Sequence, residues 1–315
     1  MPMLPQTHNK IESTKRLDPI EGSVLRTLAY FDIFQYPLLA GEIERYLDRL
    51  SNGMDLESTL ESMLAEGRIY RYQQFYSLHD NRLLALRRMA GNAHAAKLLP
   101  KAERIGRFLQ RFPFVRAVAI SGSLSKNFAD DKADIDFFIV TAANRLWIAR
   151  SLMHVFKKFT FLTGRQHFYC MNYYIDEEAL PLKEWNIFTA IEVRTLLPVA
   201  GGKTIDAFFS ANDWCDEFLP SCERRLQSQE DRRDGPIKRF FQYIIRGGFA
   251  DRLDNLLFRI TRNRWNKKQR KGMQNEKGQT MGLITDKHFA RSNPGSFQEK
   301  VLSRYREKLI DINQL

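Results

Sequence analysis

Apolar residues recur at helical spacing through the first eighty positions. Val24, Leu25, Leu28 and Phe31 share one face of a helix. Pro37 opens a second segment in which Leu39, Ile43, Tyr46, Leu47 and Leu50 repeat the period. Asp55 is placed to cap a third, with Leu56, Leu60, Met63 and Leu64 inward and Gly67 as its stop. The run "RIYRYQQFYSL" is β-rich and turns at Gln73-Gln74, as a short hairpin does. Three helices and a hairpin predict one compact unit over 20–80.

Beyond it the period changes repeatedly. Residues 81–111 are rich in Ala, Leu and Arg and predict a helical connector interrupted at Pro100. Residues 115–121 and 135–141 are β-branched and apolar, as buried strands are. A helix over 144–164 ending at Gly164, a strand over 167–175 and a helix closed by Pro198 and a Gly pair complete a unit over 112–202. Residues 203–315 predict helices, with a Gly/Asn-rich loop near 272–282. The fold class is α+β: a small mixed-sheet core flanked by an N-terminal module and a basic, helical C-terminal region. Residues 1–19 are polar, lack an apolar signal core and predict a disordered leader.

The order of elements over 20–80 resembles a winged helix. The helix that would enter a DNA groove holds Asp55, Glu57, Glu61 and Glu66 and no Lys or Arg. Backbone phosphates would repel it, so DNA binding through this module is not expected. Packing against the rest of the chain, or against a second copy, is.

Composition narrows the class. At 43% hydrophobic and 27% charged, the 315 residues suit a globular protein. No apolar run reaches the eighteen residues of a membrane span. Cys170, Cys215 and Cys222 are too few and scattered for a disulfide framework or a zinc site, which makes a reducing cytoplasm the default. The net charge of +12 favours polyanionic partners: nucleotides, nucleic acid or anionic lipid. Much of it lies in residues 238–272, where Lys and Arg far outnumber acids, as a solvated helix face or as a collar for phosphates.

The stretch "AISGSLSKNFADDKADIDFFIV" combines a Gly-Ser turn after one apolar strand with two carboxylates at the start of the next. In a strand Asp134 and Asp136 share a face, with Ile135 opposite. Two such carboxylates repel unless a cation lies between them, and paired hard oxygen donors suit Mg²⁺. Gly122 lets backbone approach a ligand, and Ser123 with the N–H groups after it can hold phosphate oxygens. Ten residues separate Ser123 from Asp134. Gly122-Ser123, that gap and Asp134-Ile135-Asp136 between hydrophobics resemble the nucleotidyltransferase superfamily of DNA polymerase beta and the kanamycin nucleotidyltransferases. The resemblance covers residues 112–202.

It implies a site in which Asp134 and Asp136 hold Mg²⁺ and the phosphates of a nucleoside triphosphate, with Ser123 on the β- or γ-phosphate. A nucleoside monophosphate, most simply AMP, would pass to an unidentified acceptor: a small molecule, protein or RNA. Lys126 is a further phosphate contact on this reading and a solvated loop lysine on the plainer one. Asn127 accepts a left-handed backbone where relatives often have Gly. The family's third carboxylate is expected on the strand "FYCMNYYID", where Asn172 stands mid-strand on one face with Cys170 and Tyr174. Asp176 is expected to cap the next turn, and Glu184 and Glu192 to lie farther off. Arg145 and Arg150 could face the substrate or the helix surface. His154 is expected to be a satisfied core or boundary histidine, and Tyr169, Tyr173, Tyr174 and Trp185 to pack the core rather than stack a base. The polar run 286–300 could reach the site. A regulatory nucleotide-binding protein on the same fold, and a DNA-binding regulator, are the alternatives to catalysis.

Overall fold

The computed structural model describes residues 18–51, 53–131, 133–162, 164, 166–225, 234–274 and 278–313. The expected leader lies outside the described residues up to position 17. Among the described residues, no helix is long and apolar enough to cross a membrane.

The chain is a mixed α+β fold with a three-stranded and a six-stranded sheet. Helix α1 (Pro19–Asp32) starts at a capping box in which Asp18 accepts from Ile20 N and Glu21 reaches back to the Asp18 N–H. Pro37 is followed by strand β1 (Leu38–Leu39) rather than directly by a helix, because those two residues pair with β3 (Phe75–Ser77). Helix α2 (Ala40–Tyr46) then ends early: Leu47 is buried beyond it, and Leu50 is exposed. Helix α3 (Gly53–Ala65) starts before Asp55, which therefore lies in its first turn, and Gly67 follows with φ +68°. Strand β2 (Tyr70–Tyr72) pairs with β3 as the hairpin predicts.

Helix α4 (Arg82–Leu109) runs through Pro100 without interruption. Pro100 is exposed, so its missing N–H falls on the solvent side, while Ala95, Leu98, Ala102, Ile105 and Leu109 are buried on the other. Tertiary burial holds the helix across the residue that local propensity would break.

The six-stranded sheet has the order β7 (Leu197–Ala200), β4 (Val115–Ser121), β5 (Asp136–Thr141), β6 (Cys170–Asp176), β9 (Phe289–Ser292), β8 (Leu283–Thr285). Strands β4 (Val115–Ser121) and β5 (Asp136–Thr141) are antiparallel, and β5 runs parallel to β6 (Cys170–Asp176) across helix α5 (Leu146–Phe161). Alternation along the strands makes two faces. Val118, Ile120, Phe137 and Ile139 join α4 and α5 in one core. Ala117, Ala119, Phe138 and Val140 join the N-terminal module and helices α6 (Ile187–Arg194) and α7 (Gly202–Ser210) in the other.

Two further expectations fail. The helix predicted to close at Pro198 is shorter, and Pro198 lies in strand β7 (Leu197–Ala200), which pairs with β4 at the sheet edge. An edge strand tolerates a residue with no N–H to donate. The C-terminal region is not all helical. After α8 (Cys215–Phe218), α9 (Pro236–Ile244) and α10 (Gly247–Arg270), strands β8 (Leu283–Thr285) and β9 (Phe289–Ser292) extend the sheet at β6. These strands are too short for their alternation to stand out in sequence. Helix α11 (Phe297–Asn313) returns to α1, where Tyr305 meets Tyr30 edge-on and Lys308 pairs with Asp32 at 2.6 Å.

Candidate functional site

The Gly-Ser turn and the aspartates meet at the end of β4 and β5. Ser121 is the register partner of Asp136, which in turn pairs with Cys170 on β6. Gly122 has φ +68°, and a Cβ there would lie 2.7 Å from Asp136 Oδ2. Only glycine combines that backbone with that approach. A 3-10 turn over Leu124–Lys126 follows, ended by Asn127 in the left-handed conformation expected of it (φ 57°, ψ 39°).

Asp134 precedes β5 rather than lying within it, but the alternation holds. Ile135 is buried in the α4–α5 core, and Asp134 and Asp136 face the same cleft of about 820 Å³. Ser121, Gly122, Asn172 and Glu192 also line it. Ser123 is exposed on the turn and lies outside that lining.

Lys126 is partly buried and does not reach into solvent. Its Nζ donates to Glu192 Oε1 at 2.8 Å and to the Gly122 carbonyl at 3.1 Å. Glu192, expected to be farther off, is therefore at the site, because α6 packs across the turn. The turn is pinned from two further directions: the Tyr36 hydroxyl donates to the Lys126 carbonyl, and Arg225 to the Ser125 carbonyl at 3.1 Å.

On β6 the β5 register slips by one residue at Asn172: Met171 pairs with Phe137 and Tyr173 with Phe138. An extra residue of this kind re-aims side chains. Cys170, Asn172 and Tyr173 consequently line the cleft, while Tyr174 is buried in the opposite core. The expected common face of Cys170, Asn172 and Tyr174 is overturned, as is a pure core role for Tyr173. The Asn172 amide donates to Asp136 Oδ1, and its carbonyl accepts from Cys170 Sγ at 3.1 Å. Asn172 thus braces the carboxylate beside it. Burial pushes the Cys170 thiol up to about 12, reinforced by Asp136.

Other expectations resolve as geometry dictates. Asp176 accepts from Glu178 N, as a cap does, and also faces His288 at 2.9 Å. Glu184 is held by Arg291. Arg145 pairs with Asp251, and Arg150 is buried against Trp147 and Tyr174, so neither faces the cleft. His154 is partly buried at the edge of the α5 packing, burial holds it down to about 3, and its Nε2 has no hydrogen-bond partner. Tyr169 packs on Phe156, but Trp185 is exposed and stacks on Trp214 at 5.6 Å.

Residues from the far C-terminal part complete the walls. Arg291, Asn293, Phe297 and Gln298 line the cleft, so the run 286–300 does reach the site, as β9 and the start of α11 rather than as a loop. Lys157 from α5 and Trp265 from α10 line it too. No local motif in the sequence marks any of these residues.

The donor set comprises carboxylates on Asp134 and Asp136, the Asn172 amide and the salt-bridged Glu192. Among the described residues no three His, Cys, Asp or Glu side chains gather as a metal cage. Paired carboxylate oxygens are the donor type a hard cation such as Mg²⁺ takes. The chain matches no family model, and no curated protein or solved structure is significantly similar to it.

Proposed function

We propose that the chain is a Mg²⁺-dependent nucleotidyltransferase moving a nucleoside monophosphate from a nucleoside triphosphate, most simply ATP, to an acceptor hydroxyl or phosphate. The observation that carries this reading is the convergence of Asp134 and Asp136 on one cleft beside a glycine turn with no room for a side chain. Residues 112–202 form the nucleotidyltransferase core on this reading, and 20–80 a winged-helix-like module that packs against it.

Asp134 and Asp136 would hold the ion. When bound, Mg²⁺ supplies charge stabilisation for phosphoryl transfer. Asn172 fixes the orientation of the Asp136 carboxylate. On this reading Ser123, exposed on that turn but outside the lining of the cleft, would meet phosphate oxygens with its hydroxyl and backbone N–H. Lys126 sets that turn through the Gly122 carbonyl and Glu192. The acceptor oxygen forms a bond to the α-phosphorus, and pyrophosphate leaves. Free thiols at Cys170, Cys215 and Cys222 and a nucleoside triphosphate donor suit the cytoplasm.

A second reading, nucleotide sensing without turnover, is favoured by Asn172. An amide stands where a third carboxylate is expected, and Glu192 is already neutralised by Lys126. Titration of ATP by calorimetry, with and without Mg²⁺, tests both. Mg²⁺-dependent binding that disappears in the Asp134→Ala/Asp136→Ala double variant supports the site, and unchanged binding in that variant refutes both readings. Pyrophosphate release on adding an acceptor mixture then separates transfer from sensing.

A further inference from the structure

Helix α9 is turned inside out. Its one buried side chain is Lys238, only 4% exposed, with Nζ donating to the Gln110 and Val115 carbonyls at 3.0 and 2.6 Å and pairing with Asp234 at 2.8 Å. Ile237, Phe240, Phe241 and Ile244, spaced i, i+3, i+4, i+7, form one face, and that face is in water; Ile237 is 72% and Phe240 61% exposed. The buried lysine fixes this orientation, because rotating the apolar face inward would strip Lys238 of its three partners.

Helix α10 also exposes apolar side chains. Its inner face packs on α5, with Trp147 against Phe258. Its outer face carries Phe249, Leu256 and Ile260, all more than half exposed, and Arg252 and Arg259 fall on the same stripe. Arg246, between the helices, lies over the Tyr243 ring at 4.1 Å. The two helices together therefore expose large aliphatic and aromatic side chains with arginines and, on the α10 stripe, no acid.

We propose that α9 and the outer stripe of α10 form a docking surface for an anionic phospholipid membrane, lying in the headgroup layer without crossing it. Charge complementarity selects this occupant. An interfacial helix inserts its apolar edge while its basic residues meet lipid phosphates. A nucleic acid would use the arginines and leave Phe240 and Ile244 in water. A two-fold contact between copies would set the same cationic patch against itself. The inference is independent of what the cleft binds.

The test is co-sedimentation of the full chain with vesicles of phosphatidylcholine alone and of phosphatidylcholine mixed with phosphatidylglycerol. Binding is expected only to the mixed vesicles, and it should weaken as salt rises. Phe240→Ser with Ile244→Ser should lower partitioning by about tenfold or more. Arg252→Ala should lower it roughly fivefold. Both changes are on exposed side chains, so an unaltered thermal midpoint confirms folding. Three results would overturn the proposal: no binding to either vesicle, binding that survives the double serine change, or a dimer in light scattering that the same change dissolves.

Discussion

Gly122→Ala isolates the constraint on which the site is built. Two costs are expected. An alanine at φ +68° costs about 1–2 kcal/mol in backbone strain. Its Cβ would also lie 2.7 Å from Asp136 Oδ2, so the carboxylate must rotate away and give up the bond from Asn172. A hydrogen bond to a charged group contributes about 1.5–3 kcal/mol, and water in the open cleft replaces part of it, leaving roughly 1–2 kcal/mol. Gly67→Ala supplies the control, because Gly67 has the same φ of +68° and nothing within 4 Å of its added Cβ. Urea unfolding at constant m should therefore show Gly122→Ala as the more destabilised of the two by about 1–2 kcal/mol. Mg²⁺-dependent nucleotide affinity should fall about tenfold or more in Gly122→Ala and stay unchanged in Gly67→Ala. Equal unfolding midpoints with equal affinities would refute the argument, since Asp136 would then be shown to move at no cost.

Two further predictions concern the frame. Asp254 accepts from the Trp147 and Ile148 amides at the start of α5, and burial raises its carboxyl from 3.8 to about 6. A raised carboxyl pKa means the folded state holds the proton in that window, so stability falls as pH rises from about 4 to about 6 and then levels. Asp254→Asn keeps an acceptor for both amides and should flatten that slope in urea unfolding across pH; a wild type that gains stability relative to the variant through the window would contradict this. Arg88 is 1% exposed, pairs with Glu42 at 2.6 Å and lies 3.7 Å from the Tyr36 ring centroid. Arg88→Ala should cost about 3–5 kcal/mol by leaving Glu42 unpaired, and Arg88→Met with Glu42→Leu should restore much of it; a loss below about 1 kcal/mol for the single change would show the pair to be dispensable.

Local chemistry made the first half of the fold legible. The Asp18–Glu21 capping box, the helical faces of Val24 and Leu28, the stop at Gly67 and the turn at Gln73 all act within a few residues. The same holds for the strand–turn–strand unit, where alternation alone sends Ile135 one way and Asp134 and Asp136 the other. Asn127 takes a left-handed backbone for a reason visible in its side chain. Pro100 and Pro198 misled because a proline's cost depends on which side faces solvent or the sheet edge, and only packing decides that.

The sequence by itself determined the turn, the carboxylate pair and their common face, since each follows from backbone sterics and strand periodicity over a dozen residues. Tertiary structure decided what surrounds them. The one-residue slip at Asn172 comes from pairing β6 against β5. The Lys126–Glu192 bond comes from α6 lying across the turn. The walls at Arg291 and Phe297 come from strand β9 and the start of α11, more than a hundred residues after β6. Such contacts are set by complementarity between distant surfaces, and no local period records them.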